Sequence, residues 1–242
     1  DAFLMDEDGQ GNQDFLMINT ESFAFANVDD YLRLTKTLIE NNDDPTKYFA
    51  PLKYKDAFTP EEFSGTLKTF NIINEIKSKP VSSSLDIQYF GAAPYSFGRN
   101  RVMRFSVIPS NNVDPQPFPV DLSENYLKNE LLKRMAGSED LAFDFVIQVR
   151  EKDEEGLDLE DATARWSDTP YISVGRISIP LPQNGLDTDE YKAECEKLVY
   201  NPWHALKEHK PLGGINRLRK RVYKASARHR LTSSTTEQEP GQ

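Results

Sequence analysis

The stretch that decides the fold lies near the end of the chain, where residues 200–223 read YNPWHALKEHKPLGGINRLRKRVY. Its first part, residues 201–213, contains Pro202, Pro211 and Gly213, which together predict an irregular connection. Its second part starts at Gly214 and continues as a basic amphipathic pattern, which predicts a helix over residues 214–230. A further helix is predicted directly before the stretch, over residues 185–200.

Upstream of this stretch the hydrophobic pattern changes along the chain. Residues 29–40 carry apolar side chains three and four positions apart, which predicts a helix. Thr59 and Glu62 form a capping box with Pro60 at the first helical position, and this helix must end before Pro80. Ser123 is expected to cap another helix. Four segments have the composition and alternation of strands: residues 85–90, 102–108, 143–149 and 171–179.

These elements predict an α+β domain in which an antiparallel sheet is combined with helices. Two short apolar runs, residues 1–5 and 14–19, flank a polar segment containing glycine and predict a further hairpin near the N-terminus. We assign residues 1–230 to one domain. The remaining residues, 231–242, are rich in Ser, Thr, Glu and Gln and are expected to form a disordered tail.

Composition excludes several classes of protein. The only cysteine, Cys195, rules out an internal disulfide framework and any multi-cysteine metal site. No apolar run is long enough for a membrane span, and no secretory signal is visible, so we expect a cytoplasmic location. The net charge is −10, yet residues 201–230 hold nine Lys and Arg against one acid. By itself, such a basic segment fits either nucleic acid or one internal anion.

Residues 200–223 resemble the C-terminal signature of the small, heme-containing catalase-related proteins. Further segments match that family in the same order along the chain: residues 13–16 with 19–20, 88–90 with 94–98, 143–145, 161–163 with 166, and 176–180. The resemblance covers about residues 1–230. It implies a catalase-like antiparallel β-barrel with flanking and C-terminal helices, heme b as cofactor, and decomposition of hydrogen peroxide or organic peroxides.

The resemblance also implies roles for individual residues. Tyr223 matches the proximal iron ligand, Arg219 its partner, and Arg230 a propionate-binding arginine. Phe23 matches an aromatic residue that packs against the porphyrin, and Asn19 lies near the family's distal asparagine. The chemistry is consistent, since a tyrosine binds ferric heme as phenolate and an arginine one helical turn earlier can donate to that oxygen. Guanidinium groups also suit the heme propionates, so the basic segment is expected to hold a cofactor and not nucleic acid.

The distal side of the site matches less well. By strict alignment Ile18 falls on the family's distal asparagine, so Asn19 is placed there only with a shift of one position. The family's distal histidine precedes the strand that starts at Asp14, but the first histidine of this chain is His204. His204 itself is expected to be structural. We therefore expect the chain to begin partway into the family domain, with a barrel incomplete at its N-terminal end and little catalase activity by itself.

Two alternatives to a peroxide-decomposing heme enzyme stay open. The first is a heme enzyme that rearranges fatty-acid hydroperoxides. The second is a non-catalytic catalase-like remnant or interaction module. For the main interpretation we expect a peroxide substrate, no nucleic acid partner and no membrane span, with a homo-oligomer left open.

Overall fold

A computed structural model describes residues 12–110, 117–119, 122–138 and 141–236 of the chain. Six α-helices lie in these residues: α1 Val28–Glu40, α2 Ala50–Lys53, α3 Pro60–Ser78, α4 Tyr126–Met135, α5 Asp189–Lys197 and α6 Gly213–Thr236. Five strands accompany them: β1 Tyr89–Phe90, β2 Tyr95–Phe97, β3 Arg101–Pro109, β4 Leu141–Glu151 and β5 Ile172–Ile179. None of the described helices is both long and apolar enough to cross a membrane.

Two of the helices before the sheet, α1 and α3, begin at side-chain caps. The Asn27 side chain accepts a hydrogen bond from the backbone N–H of Asp30 at the start of α1. At the start of α3, Thr59 and Glu62 form the complete reciprocal capping box, and Pro60 occupies the first helical position. Each cap satisfies N–H groups that have no partner within the helix. The capping box and the end of α3 before Pro80 are confirmed.

The strands form one antiparallel sheet in the order β1–β3–β4–β5, with β2 also paired to β3. Alternate residues of β3 and β4 point to opposite faces. One face carries the apolar core, which includes Tyr95, Met103, Phe105 and Ile147. The mixed helix and antiparallel sheet architecture is therefore as predicted.

The opposite face of the sheet carries buried polar side chains, which contact the segment 164–169. The buried Arg104 guanidinium donates to the Ala164 carbonyl oxygen at 2.6 Å. The buried Gln148 side chain donates to the carbonyl oxygens of Trp166 and Thr169 at 2.9 and 2.7 Å. Burial lowers the pKa of Arg104 to about 10. This face is thus held by hydrogen bonds to a loop, which satisfy polar groups that cannot reach water.

The expected barrel is not closed within the residues that the structure describes. Its sheet is open, because β5 pairs only with β4 and forms an edge. On the other side, residues 14–19 form no strand: Ile18 makes only an isolated bridge with Phe90. The predicted run at residues 1–5 lies outside the described residues. The prediction of a barrel is therefore corrected to an open five-stranded sheet.

Three predicted elements have different bounds. The strand expected over residues 85–90 is reduced to β1, because a backbone hydrogen bond from Asp86 to Ser83 makes a turn there. Ser123 does not cap α4 with its side chain; the N-cap is Asn125, which also makes no side-chain hydrogen bond there. The helix expected over 185–200 is α5, which is capped by the Thr188 side chain.

Helix α6 is longer than predicted. It continues to Thr236, so the first residues of the expected tail are helical, while residues 237–242 lie outside the described part of the chain. Its start requires glycine: Gly213 has a φ of +80°, and a Cβ there would lie 2.5 Å from the Leu159 carbonyl oxygen.

Candidate functional site

The connection 201–213 fastens α6 to the rest of the molecule. The Asn201 side chain accepts from the backbone N–H of Trp203 at 3.0 Å and donates to the carbonyl oxygen of Lys220 at 3.3 Å. The Trp203 indole donates to the carbonyl oxygen of Asn216 at 2.8 Å. Pro211 forms a bridge with Tyr95 of β2. These bonds restrain the rotation of α6 about its own axis.

His204 lies in this connection and has a structural role. Its Nδ1 lies 2.8 Å from Oδ2 of Asp14, and both side chains are buried. The same carboxylate oxygen accepts from the backbone N–H of Asn201 at 2.8 Å. The pair therefore joins the segment around Asp14 to the start of the 201–213 connection.

Arg219 and Tyr223 meet on one face of α6. The Arg219 Nη2 lies 3.5 Å from the Tyr223 hydroxyl oxygen, at the long limit of a hydrogen bond. The guanidinium carbon lies 5.3 Å from the centre of the tyrosine ring. Residues four apart on a helix are neighbours, so this pairing follows directly from the sequence spacing.

Two cavities flank Tyr223. The smaller, about 150 Å³, brings together Phe23, Arg219 and Tyr223. The larger, about 300 Å³, extends along the same helix past Tyr223 to Arg230. Phe23, which is 196 positions or more away from both helix residues in sequence, reaches the site through the packing of the segment after residue 20. Both cavities also contain Val222, so together they form one interrupted groove along α6.

Arg230 lines the larger cavity, but its guanidinium already has protein partners. It donates to the carbonyl oxygen of Leu198 at 2.7 Å and to that of Glu196, both at the C-terminal end of α5. Such carbonyl groups have no partner within their own helix, so a cation near them is stabilised. A propionate would therefore compete with the end of α5 for this side chain.

Asn19 is not brought to Tyr223. It is half-buried, in a bend after the bridge between Ile18 and Phe90, and lines neither cavity beside Tyr223. Its neighbour Thr20 is fully buried, with a side-chain hydroxyl that has no hydrogen-bond partner among the described residues. The predicted distal position thus stays separate from the tyrosine and arginine of α6.

Tyr95 belongs to the site although no pattern in the sequence assigns it there. It is 1% exposed, and its hydroxyl makes no hydrogen bond of good geometry within the described part of the chain. Burial raises its pKa to about 12, while the positive charge of Arg219 opposes that increase. Arg219 therefore acts electrostatically on two phenols. The only hint in the sequence was that Tyr95 falls within the 94–98 segment of the resemblance.

Other cations of α6 lie on a different face. Arg217 makes a bidentate ion pair with Glu160, in which the two guanidinium nitrogens lie 3.1 and 2.8 Å from the two carboxylate oxygens. Glu160 also accepts from the backbone N–H of Gly214 at 2.7 Å. The Lys220 ammonium lies 4.4 Å from the centre of the Trp203 ring. Arg217 and Lys220 border a separate groove of about 420 Å³. The cations of the basic segment are therefore divided between two faces of α6 and do not all surround one anion.

Tyr223 and the side chains beside it fit the part of a heme site that holds the iron. A phenol with a guanidinium beside it is the donor set that a ferric porphyrin takes from tyrosine, and Phe23 supplies an aromatic wall. The fit to the propionates is partial, because Arg230 is engaged by α5. No cluster of three or more His, Cys, Asp or Glu side chains suited to a bare metal ion occurs in the described ranges.

No protein-family model matches this sequence, and no curated protein matches it. Several solved structures do match this chain. A fungal catalase superposes with a TM-score of 0.67 at 15% identity, over 92% of this chain and 46% of that one. Catalase A from Saccharomyces cerevisiae gives a TM-score of 0.70 at 14% identity, over 92% of this chain and 47% of that one.

A bacterial catalase superposes with a TM-score of 0.64 at 13% identity, over 90% of this chain and 43% of its own. The chain thus spans less than half the length of each of these catalases. At such low identity the similarity concerns the fold alone. The described residues have a catalase-like fold.

Proposed function

We propose that this chain binds heme b through Tyr223 and takes part in the decomposition of hydrogen peroxide or organic peroxides. One observation carries the proposal: Arg219 and Tyr223 lie together on the face of α6 that forms a cavity with Phe23. The catalase-like fold supports it independently of the sequence motif. The proposal accounts for why a tyrosine on a basic helix is left half-buried beside a cavity.

The residues of the chain have distinct tasks in this proposal. Tyr223 would supply the oxygen that holds the heme iron, and Arg219 would donate a hydrogen bond to that oxygen. Phe23 excludes water from one wall of the cavity. When bound, heme supplies the iron that cleaves peroxide. Neither cavity beside Tyr223 is lined by a histidine, so the proposal assigns to these residues the iron-ligand side of the site.

The test is a titration of the purified chain with hemin, followed by its visible spectrum. We expect saturable binding and a high-spin ferric spectrum that changes in Tyr223→Phe. Tyr31→Phe is the matched control, because Tyr31 lines the same cavity but is not proposed as an iron ligand. Absence of saturable binding, or identical spectra for wild type and Tyr223→Phe, would contradict the proposal.

A second candidate is a catalase-like binding module without catalysis. The engagement of Arg230 by the carbonyl oxygens of α5 favours it, because that arginine then stabilises the fold and not a cofactor. Arg230→Met distinguishes the two functions. A heme site predicts weaker hemin binding in this variant, whereas a structural role predicts only a lower free energy of unfolding.

A further inference from the structure

Asn216 lies one helical turn before Arg219 and is fully buried. Its side-chain oxygen accepts from Arg219 Nη1 at 3.2 Å. Its side-chain nitrogen donates to the carbonyl oxygens of Pro94 and Leu212, both at 3.0 Å. A side-chain amide offers one acceptor group and two N–H donors, and every one of these functions is used. Because its oxygen and both N–H groups are hydrogen-bonded, the Asn216 amide has a fixed orientation.

The arginine, by contrast, has a choice of acceptors. Its contact with the Tyr223 hydroxyl is long, at 3.5 Å. Its charge also acts on Tyr95, whose buried hydroxyl is a second acceptor within reach of the guanidinium. A guanidinium between two phenols needs a third contact to select one of them. Asn216 provides the shorter contact and holds it from a fixed direction.

We propose that Asn216 is a positioning residue, which holds the Arg219 guanidinium at the Tyr223 hydroxyl and links that pair to β2. The link runs from the Pro94 carbonyl through the Asn216 amide to Arg219 and Tyr223. The inference rests on the proposed function only in its consequence for heme, which is that Tyr223, as iron ligand, has Arg219 held beside it. The positioning itself is a property of the protein without heme.

The experiment compares two substitutions of the same side chain in the full chain. Asn216→Leu keeps the branched shape and the number of heavy atoms of the side chain and removes every side-chain hydrogen bond. Asn216→Asp keeps the acceptor for Arg219 and removes the donors to Pro94 and Leu212. Gln148→Leu is the control, because it removes a buried amide with two carbonyl partners on the opposite face of the sheet. It tests for effects of lost stability alone.

The first measurement uses the protein without heme. Nitrogen-15 relaxation of the Arg219 Nε–Hε group, assigned with Arg219→Lys, reports the order of the side chain. We expect an ordered side chain in wild type, Asn216→Asp and Gln148→Leu, and an order parameter below about 0.6 in Asn216→Leu. An ordered Arg219 in Asn216→Leu overturns the inference. Loss of order in both Asn216 variants also overturns it, since the donors to β2 and not the acceptor would then control Arg219.

The second measurement is hemin binding. Asn216→Leu should bind hemin about tenfold more weakly, as expected when the partner of a metal ligand is removed, and its ferric spectrum should move toward that of Tyr223→Phe. Unchanged affinity and spectrum in Asn216→Leu would overturn the consequence for heme. If the wild-type spectrum does not depend on Tyr223, the proposed function fails, and the relaxation data still decide the role of Asn216.

Discussion

At the scale of single residues, the site is governed by one guanidinium that acts on two phenols of different burial. Tyr223 lines the cavities, whereas Tyr95 is 1% exposed. Burial favours the neutral form of a phenol, since the phenolate would lose its hydration. The positive charge of Arg219 counteracts this effect at Tyr95. The titration of Tyr95 therefore reports whether Arg219 is in place.

Arg219→Met should raise the pKa of Tyr95 further above its value of about 12 in the wild type. The sign follows because the substitution removes a positive charge that favours the phenolate, while burial stays the same. The measurement is the titration of the carbon-13 Cζ signal of labelled tyrosine, assigned with Tyr95→Phe. Lys220→Met is the control, since that cation lies over Trp203. A lower or unchanged pKa of Tyr95 in Arg219→Met would show that the two side chains are not coupled.

At the scale of elements, α6 is the part on which the site depends, and Glu160 holds its beginning. The carboxylate accepts from the Gly214 backbone and from Arg217. A negative group at the start of a helix satisfies free N–H groups and the positive end of the helix dipole. The hydrogen bonds from Arg217, which contribute most, lower the pKa of Glu160 below its ordinary value of 4.5.

Glu160→Gln should lower the free energy of unfolding at pH 7 by less than about 1 kcal/mol, because the carboxylate is largely exposed and screened by water. A lowered pKa in the folded state means that the stabilisation is complete above pH 4.5 and is lost as the pH falls through the folded value. The difference between wild type and Glu160→Gln should therefore vanish in acid. Urea unfolding between pH 3 and 7 measures it, with Glu61→Gln, in the first turn of α3, as the control. A difference that stays constant as the pH falls from 5 to 3 would refute the assignment.

At the scale of the whole molecule, the main feature is the open edge of the sheet. Strand β5 is exposed along nearly all its length, with Ile172 at 50%, Val174 at 53% and Ile177 at 42% exposure. Its outer backbone groups have no strand partner among the described residues. Exposed apolar edge strands pair readily with other chains, and natural proteins usually protect them with charges or prolines.

Val174→Lys should reduce self-association of the chain, because a charge on an edge strand opposes pairing with a second copy. Stability should change by no more than about 0.5 kcal/mol, as for other exposed positions. The measurement is the apparent mass by light scattering over a range of protein concentrations. Ile39→Lys makes the same change at an exposed position on α1, 76% exposed, and should have no effect. Equal behaviour of the two variants would contradict a role of the edge.

The sequence was sufficient wherever a feature depends on neighbours within a few residues. The capping box of Thr59 and Glu62, the strands around Phe105 and Phe145, and the placement of Arg219 beside Tyr223 all follow from local geometry. Such features repeat with the period of a helix or strand, and the residues themselves carry that period. The α+β class followed from the order of these elements.

Tertiary structure alone decided which residues surround Tyr223. Packing brings Phe23 into the cavity, places Tyr95 under the influence of Arg219, and leaves Asn19 elsewhere. It also places the Arg230 guanidinium at the C-terminal end of α5, and it leaves β5 as an open edge where a barrel incomplete at its N-terminal end was predicted. The physical reason is that a polar side chain takes the best partner within reach, and a strand pairs with whichever strand lies beside it. Both depend on contacts between residues far apart in the chain, which the local pattern does not encode.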